Sequence, residues 1–226
     1  MDLFEYMAEQ NKEKESPLAS RMRPRTLDEV VGQQHIIGKD KMLYRAIQAD
    51  KLSSVIFYGP PGTGKTTLAQ VIANTTKAEF RAINATTAGK KDMEDVVRGA
   101  NDTLGMYGRR TILFIDEIHR FSKSQQDSLL GAVEKGTITL IGATTENPSF
   151  EVIRPLLSRC QLYVLQPLGK DDLLELLNRA INKDVVLSKM NIEVKETGAI
   201  LRYSGGDARK LLNILELLAD SAGGKD

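Results

Sequence analysis

The chain has 226 residues, with 31 Lys or Arg against 30 Asp or Glu, for a formal net charge of +1. That length suits one or two domains with a self-sufficient core, and the charge balance excludes a protein that holds nucleic acid by bulk positive charge. A single Cys excludes an internal disulfide, one Cys with two His argues against a structural zinc site, and the absence of Trp argues against a base-stacking platform. No apolar run approaches the ~20 residues of a membrane span, and residues 1–15 lack the basic and apolar regions of a secretory signal. A reducing cytoplasm fits this composition, and no membrane partner is expected.

Residues 1–16 are polar and charged and read as a flexible leader. A helix is expected over Asp40–Ala49, where Met42, Leu43, Ala46 and Ile47 recur at helical spacing. The apolar runs Ser54–Tyr58, Phe80–Ile83, Thr111–Ile115, Ile138–Gly142 and Gln161–Leu165 then predict strands buried on both faces. Helices are expected between them at Lys65–Thr75, Asp92–Leu104 and Ser124–Glu134. Alternating strands and helices imply an α/β fold, a parallel five-stranded sheet between helices, over residues 17–167. Beyond Pro167, stretches 170–182, 193–203 and 207–220 read as amphipathic helices, which predicts a small all-helical domain over 168–226.

The first strand runs into Gly59, Pro60, Pro61, Gly62, Thr63, Gly64, Lys65 and Thr66, followed by Thr67. This is G-x-x-x-x-G-K-S/T in its required setting, a strand before and a helix after. Its glycines let backbone N–H groups turn toward a phosphate, and the helix start adds partial positive charge. In such a loop Lys65 reaches the β and γ phosphates of a nucleotide and Thr66 ligates Mg²⁺.

The third strand ends in Asp116 and Glu117, at the strand end where open α/β sheets bind ligands. Asp116 is expected to hold magnesium through water, and Glu117 to orient and polarise the attacking water. His119 reads as a surface or packing residue, and Cys160 as a small buried hydrophobe. The fourth strand carries Thr144 and Thr145 at its end, either of whose hydroxyls suits a γ-phosphate or the attacking water. Arg159, before the fifth strand, and Arg209, opening a helix of the second domain, are candidates for transition-state charge stabilisation. Lys90, Lys91, Arg109 and Arg110 are either a solvated charged face or contacts to a nucleic-acid backbone.

Together these residues resemble an AAA+ P-loop ATPase. The stretches Ser20–Pro24, Gly32–His35, Asp116–Asp127 and Gly142–Glu151 narrow the resemblance to the replication-associated recombination protein A (RarA/MgsA) family, related to Werner-helicase-interacting protein. That resemblance covers residues 17–220. It implies a DNA-dependent ATPase of replication-fork maintenance, recombination and repair, with ATP and Mg²⁺ as cofactors and the helical domain as a lid. It also implies Thr145 as first sensor, with Thr144 the neighbouring alternative, Arg159 acting in trans on another subunit's ATP, and Arg209 acting in cis from the lid. Val31 and Gly32 would line the adenine pocket, and Asn84 would restrain Glu117 until DNA binds. DNA, single-stranded or forked, is the implied partner, with single-stranded DNA-binding protein a further one, and the homo-oligomer of the full-length family is expected to depend on a C-terminal domain that this chain lacks. The missing zinc finger of the eukaryotic relatives favours a bacterial, nucleoid-associated protein. A clamp-loader-like subunit, from Ser158–Cys160, and a nucleotide-gated scaffold with little turnover are the alternatives.

Overall fold

In the computed structural model, which describes residues 15–223, the strands are β1 (Val55–Tyr58), β2 (Glu79–Asn84), β3 (Thr111–Asp116), β4 (Ile138–Thr144) and β5 (Gln161–Val164). They form one parallel sheet in the order β2-β3-β4-β1-β5. Period-two alternation sorts their side chains into two cores. Val55, Phe57, Ile112, Phe114, Ile141 and Ala143 face one way, against Leu68, Ala69, Val71 and Ile72 of the helix Lys65–Thr75. Ile56, Leu113, Ile115, Ile138 and Leu140 face the other, against Met93 and Ala100 of the helix Lys90–Tyr107, and Ile118, Leu129 and Leu156. Hence the helices lie on both faces of the sheet, as expected of an α/β fold.

Three expectations about single elements need correction. The edge strands are not buried on both faces: Leu162 and Val164 of β5 are 44% and 48% exposed, because an edge strand has one sheet neighbour and incomplete cover. The helix expected over Ser124–Glu134 is two, Lys123–Asp127 and Leu130–Glu134. There Ser128 Oγ donates to the Gln125 carbonyl at 2.6 Å, and the Leu129 N–H bonds to Gln126 O at 3.2 Å, a tightened turn. The helix expected over 193–203 starts only at Gly198, since the β-branched Ile192, Val194 and Thr197 weight the preceding stretch against helix.

The chain divides into two compact units, Arg25–Gln166 with the sheet, and Pro167 onward together with the chain up to Pro24. Of the expected leader, all but Glu15 and Ser16 lies outside the described residues. Residues 17–24, expected with the sheet, belong to the helical unit for a physical reason. Leu18 is wholly buried there, its N–H donates to Glu216 Oε1 at 2.8 Å, and Arg21 forks onto Asp184 at 2.7 and 3.1 Å. The other elements of that unit are the helices Lys170–Lys183, Gly198–Ser204 and Ala208–Gly223, and a short turn Leu187–Lys189. No helix among the described residues is long and apolar enough to cross a membrane.

Candidate functional site

The phosphate loop is stapled where β1 ends. Gly59 donates its N–H to the Thr144 carbonyl of β4 at 3.2 Å, and a Cβ on Gly59 would stand 2.4 Å from the Leu165 carbonyl oxygen. Only glycine allows that approach. The chain then turns through Gly62 and Gly64, at φ 76° and 93°, into the helix Lys65–Thr75. Thr63 braces the turn by donating from Oγ1 to Pro60 O at 2.9 Å. Pro60 and Pro61 are exposed on the outside of the loop, and Thr67 is half-buried in the first helical turn.

Lys65 is 7% exposed, and its Nζ donates to Gly59 O at 2.7 Å and Pro60 O at 2.8 Å. Burial pushes its ammonium below the ordinary lysine range, while Glu117 and Asp116 act in the opposite direction. Two of its three protons are spent on the loop, which leaves one for a phosphate oxygen. Thr66 Oγ1 lies 3.4 Å from Asp116 Oδ2. The fold thus brings together two oxygen donors from positions 50 residues apart, a set that fits a hard divalent cation.

Glu117 leaves β3 at φ 55° and ψ 45°, in the left-handed region. Thr144 and Thr145 lie at the end of β4, the strand between β3 and β1; Thr144 is fully buried, Thr145 half-buried just beyond the strand. So the site assembles from the C-terminal ends of β1, β3 and β4. Asn84, at the end of β2, faces its own loop, with Oδ1 taken by Thr86 N at 2.9 Å and Thr86 Oγ1 at 2.7 Å.

Other residues fall elsewhere. Arg159 precedes β5, whose Gln161 pairs with Val55 at the start of β1, so about five residues of strand, roughly 17 Å, separate it from its own phosphate loop. It contacts Glu134 and donates to Pro155 O at 2.5 Å. Arg209 is exposed at the start of the helix Ala208–Gly223 in the other unit. Lys90 pairs with Glu94 at 3.7 Å on the exposed helix face, and Lys91 is exposed beside it. Arg109 and Arg110 line, with Lys77, a cavity of about 590 Å³ near the N-terminal ends of β3 and β4. Burial pushes the Cys160 thiol up to about 12, so it is not a nucleophile at neutral pH.

Two residues escaped sequence reasoning. Gln33, buried at φ 59° next to Val31 and Gly32, donates to Thr63 O at 3.2 Å and Gln166 O at 2.7 Å and accepts from Gln166 N at 3.1 Å. It ties the phosphate loop to the chain leaving β5; it lies in the stretch Gly32–His35 that helped narrow the resemblance, but no local pattern gives it this role. The other is His119, whose ring contacts Glu117 and Thr144; its position just after the acidic pair was the available signal.

A family model described as "ATPase family associated with various cellular activities (AAA)" matches residues 55–168. The chain belongs to this AAA family. A second model, "Parvovirus non-structural protein NS1", matches residues 4–98, a span that includes the phosphate loop. Among curated proteins, this AAA chain is 53% identical over 209 residues to replication-associated recombination protein A of Coxiella burnetii, covering 91% of this chain and 47% of that protein. It is 48% identical over 214 residues to the Escherichia coli K12 protein of the same name, covering 91% and 46%. The chain therefore spans about half the length of the curated relatives it matches. Among solved structures, the Holliday junction branch migration motor RuvB of Thermotoga maritima is 29% identical with a TM-score of 0.70, over 88% of this chain and 65% of that one. The recombination-protein resemblance expected from the sequence holds across nearly the whole AAA chain.

Proposed function

We propose that this chain is the nucleotide-hydrolysing part of a DNA-dependent ATPase that acts in replication-fork maintenance, recombination and repair. The observation that carries the reading is the 3.4 Å approach of Thr66 to Asp116 beneath a glycine loop whose lysine is buried. The names of the similar proteins supply the nucleic-acid context.

In this reading the backbone N–H groups of Gly62–Thr66 and the remaining Lys65 proton hold the ATP phosphates. Thr66 and Asp116, the latter through water, would hold Mg²⁺, which when bound neutralises charge on the β and γ phosphates. Glu117 accepts a proton from the attacking water and aims it at the γ-phosphate. Thr145, or Thr144 beside it, reports the γ-phosphate to β4. Val31 and Gly32, placed beside the loop through Gln33, border the adenine. Arg159 serves a neighbouring subunit, and Arg209 closes from residues 168–226 acting as a lid on the nucleotide-binding residues 17–167. The partners are forked or single-stranded DNA, single-stranded DNA-binding protein and further copies of the full-length chain, in a bacterial cytoplasm at the nucleoid.

Steady-state ATP hydrolysis with and without fork DNA tests this. The expected result is Mg²⁺-dependent turnover that DNA raises, and a Glu117→Gln variant that binds ATP as the parent does but loses turnover by about 10²- to 10⁴-fold. Unaltered turnover in that variant removes Glu117 from the mechanism, and turnover indifferent to DNA removes the DNA dependence.

A further inference from the structure

The proposed hydrolysis turns on Glu117, a residue held at φ 55°, in the left-handed region that side-chain-bearing residues rarely adopt. Its carboxylate has a close side-chain neighbour. The side chain of His119 is 7% exposed, with Nε2 at 3.3 Å from Glu117 Oε2 and Nδ1 at 3.0 Å from Thr144 Oγ1. Thr144 is fully buried at the end of β4, and its hydroxyl meets Glu146 N at 3.0 Å and Glu146 O at 3.1 Å. The imidazole therefore bridges the end of β4 and the residue that follows β3.

Proton counting gives this bridge a direction. A carboxylate only accepts, so the ring nitrogen facing Glu117 carries a proton; a bare lone pair there would repel the oxygen. The one hydroxyl proton of Thr144 goes either to Nδ1 of a neutral ring or to the Glu146 carbonyl, and in the second case Oγ1 accepts from Nδ1–H of a charged ring. In both arrangements the Nε2–H lies on the Glu117 side, 3.3 Å from Oε2 as a charge contact, and a ring flip would lose both contacts. The backbone beneath is equally fixed. Ile118 is fully buried, and it lies so close to β4 that a Cβ on Gly142 would stand 3.2 Å from Ile118 Cδ1.

We propose that His119 is a positioning residue for hydrolysis: it holds the Glu117 carboxylate in the orientation that meets the attacking water, and takes its own bearing from Thr144. This rests on the reading of Glu117 given above. The γ-phosphate end of β4 and the water-activating carboxylate are then joined by one imidazole, so that a shift of β4 re-aims Glu117.

The test compares the parent chain with Glu117→Gln, His119→Ala, His119→Gln, Thr144→Val and the double variant of His119→Ala with Thr144→Val. It reads kcat, KM, ATP affinity and thermal unfolding. His119→Ala is expected to lower kcat by roughly 10- to 100-fold, the range for groups that orient a reactive one, with ATP affinity within about two-fold. His119→Gln, whose amide can accept from Thr144 and donate to Glu117, is expected to recover most of that loss. Thr144→Val is expected to lower kcat in the same direction and to add little once His119 is gone, the non-additivity of coupled groups. Parental kcat in His119→Ala, equal losses in the Ala and Gln variants, or a joint fall of ATP affinity and melting temperature in both overturns the proposal. A Glu117→Gln variant without turnover beside an unimpaired His119→Ala removes only His119. A parent chain without turnover, or a fully active Glu117→Gln, overturns the functional reading and this inference together.

Discussion

Among the described residues, Gln33, Asp50 and Glu117 are the side-chain-bearing residues at positive φ, and two of them border the phosphate loop. Gln33 is held by its amide between the loop and the chain leaving β5, and Glu117 by the buried turn that follows it. Strain of this kind survives only where surrounding contacts over-determine it, which explains why both sit between strand ends rather than in surface turns. Gly59 shows the complementary demand. A Cβ there would meet the backbone oxygen of Leu165 at 2.4 Å, and backbone cannot rotate away as a side chain can. Gly59→Ala is expected to destabilise the protein by about 1–3 kcal/mol and to weaken ATP binding, because β5 and the loop must part; thermal unfolding and nucleotide titration check both.

At the scale of elements, buried polar side chains fasten loops that no apolar contact could orient. Gln126, wholly buried in the helix Lys123–Asp127, donates to Phe121 O at 3.2 Å and Glu151 O at 2.9 Å and accepts from Ile153 N at 2.9 Å. It joins the segment after Asp116 to the segment after Thr145, two of the four runs that narrowed the family resemblance. In the helical unit, Arg21 and Asp184 do the same for residues 17–24, with side chains 6% and 1% exposed. Burial pushes the Asp184 carboxyl up, but the hydrogen bonds from Arg21, Leu187 N–H and Val186 N–H outweigh it and hold the group below the usual carboxylate range. A depressed folded-state pKa contributes stability that is complete above the unfolded value and is lost as pH falls through the folded one. Arg21→Ala is therefore expected to cost about 3–5 kcal/mol near pH 7 by leaving a buried carboxylate without its partner. The gap to the parent protein should narrow below about pH 4, as urea unfolding at the two pH values would register.

At the scale of the whole molecule, the parallel register sets Arg159 at the opposite end of the sheet from its own phosphate loop, which is why the function proposed above gives its guanidinium to a site on another copy. In the full-length protein, Arg159→Ala is expected to keep ATP affinity and lose about 10³-fold or more of turnover, the scale of an arginine finger. Mixing it with an equally inactive Lys65→Ala protein should restore part of the activity, since some interfaces then pair an intact loop with an intact arginine; a mixture as inactive as its components would place the arginine outside the site. The parts of this picture that the sequence by itself determined are those written in contiguous residues. Gly59 to Thr66 spell a phosphate loop, Thr111 to Asp116 a buried strand ending in acid, and alternation of short apolar runs with amphipathic ones an α/β sheet, because backbone turn chemistry and side-chain periodicity act over a few residues. Helix ends moved where a hydroxyl or a β-branched run competed locally, as at Ser128 and Val194. Tertiary structure alone decided the strand order that puts β4 between the loop and the acidic pair, the attachment of residues 17–24 to the helical unit, and the placing of Gln33 and His119. Those outcomes depend on which distant carbonyl, carboxylate or hydroxyl a buried polar group reaches, and that is settled only when the sheet closes and excludes water.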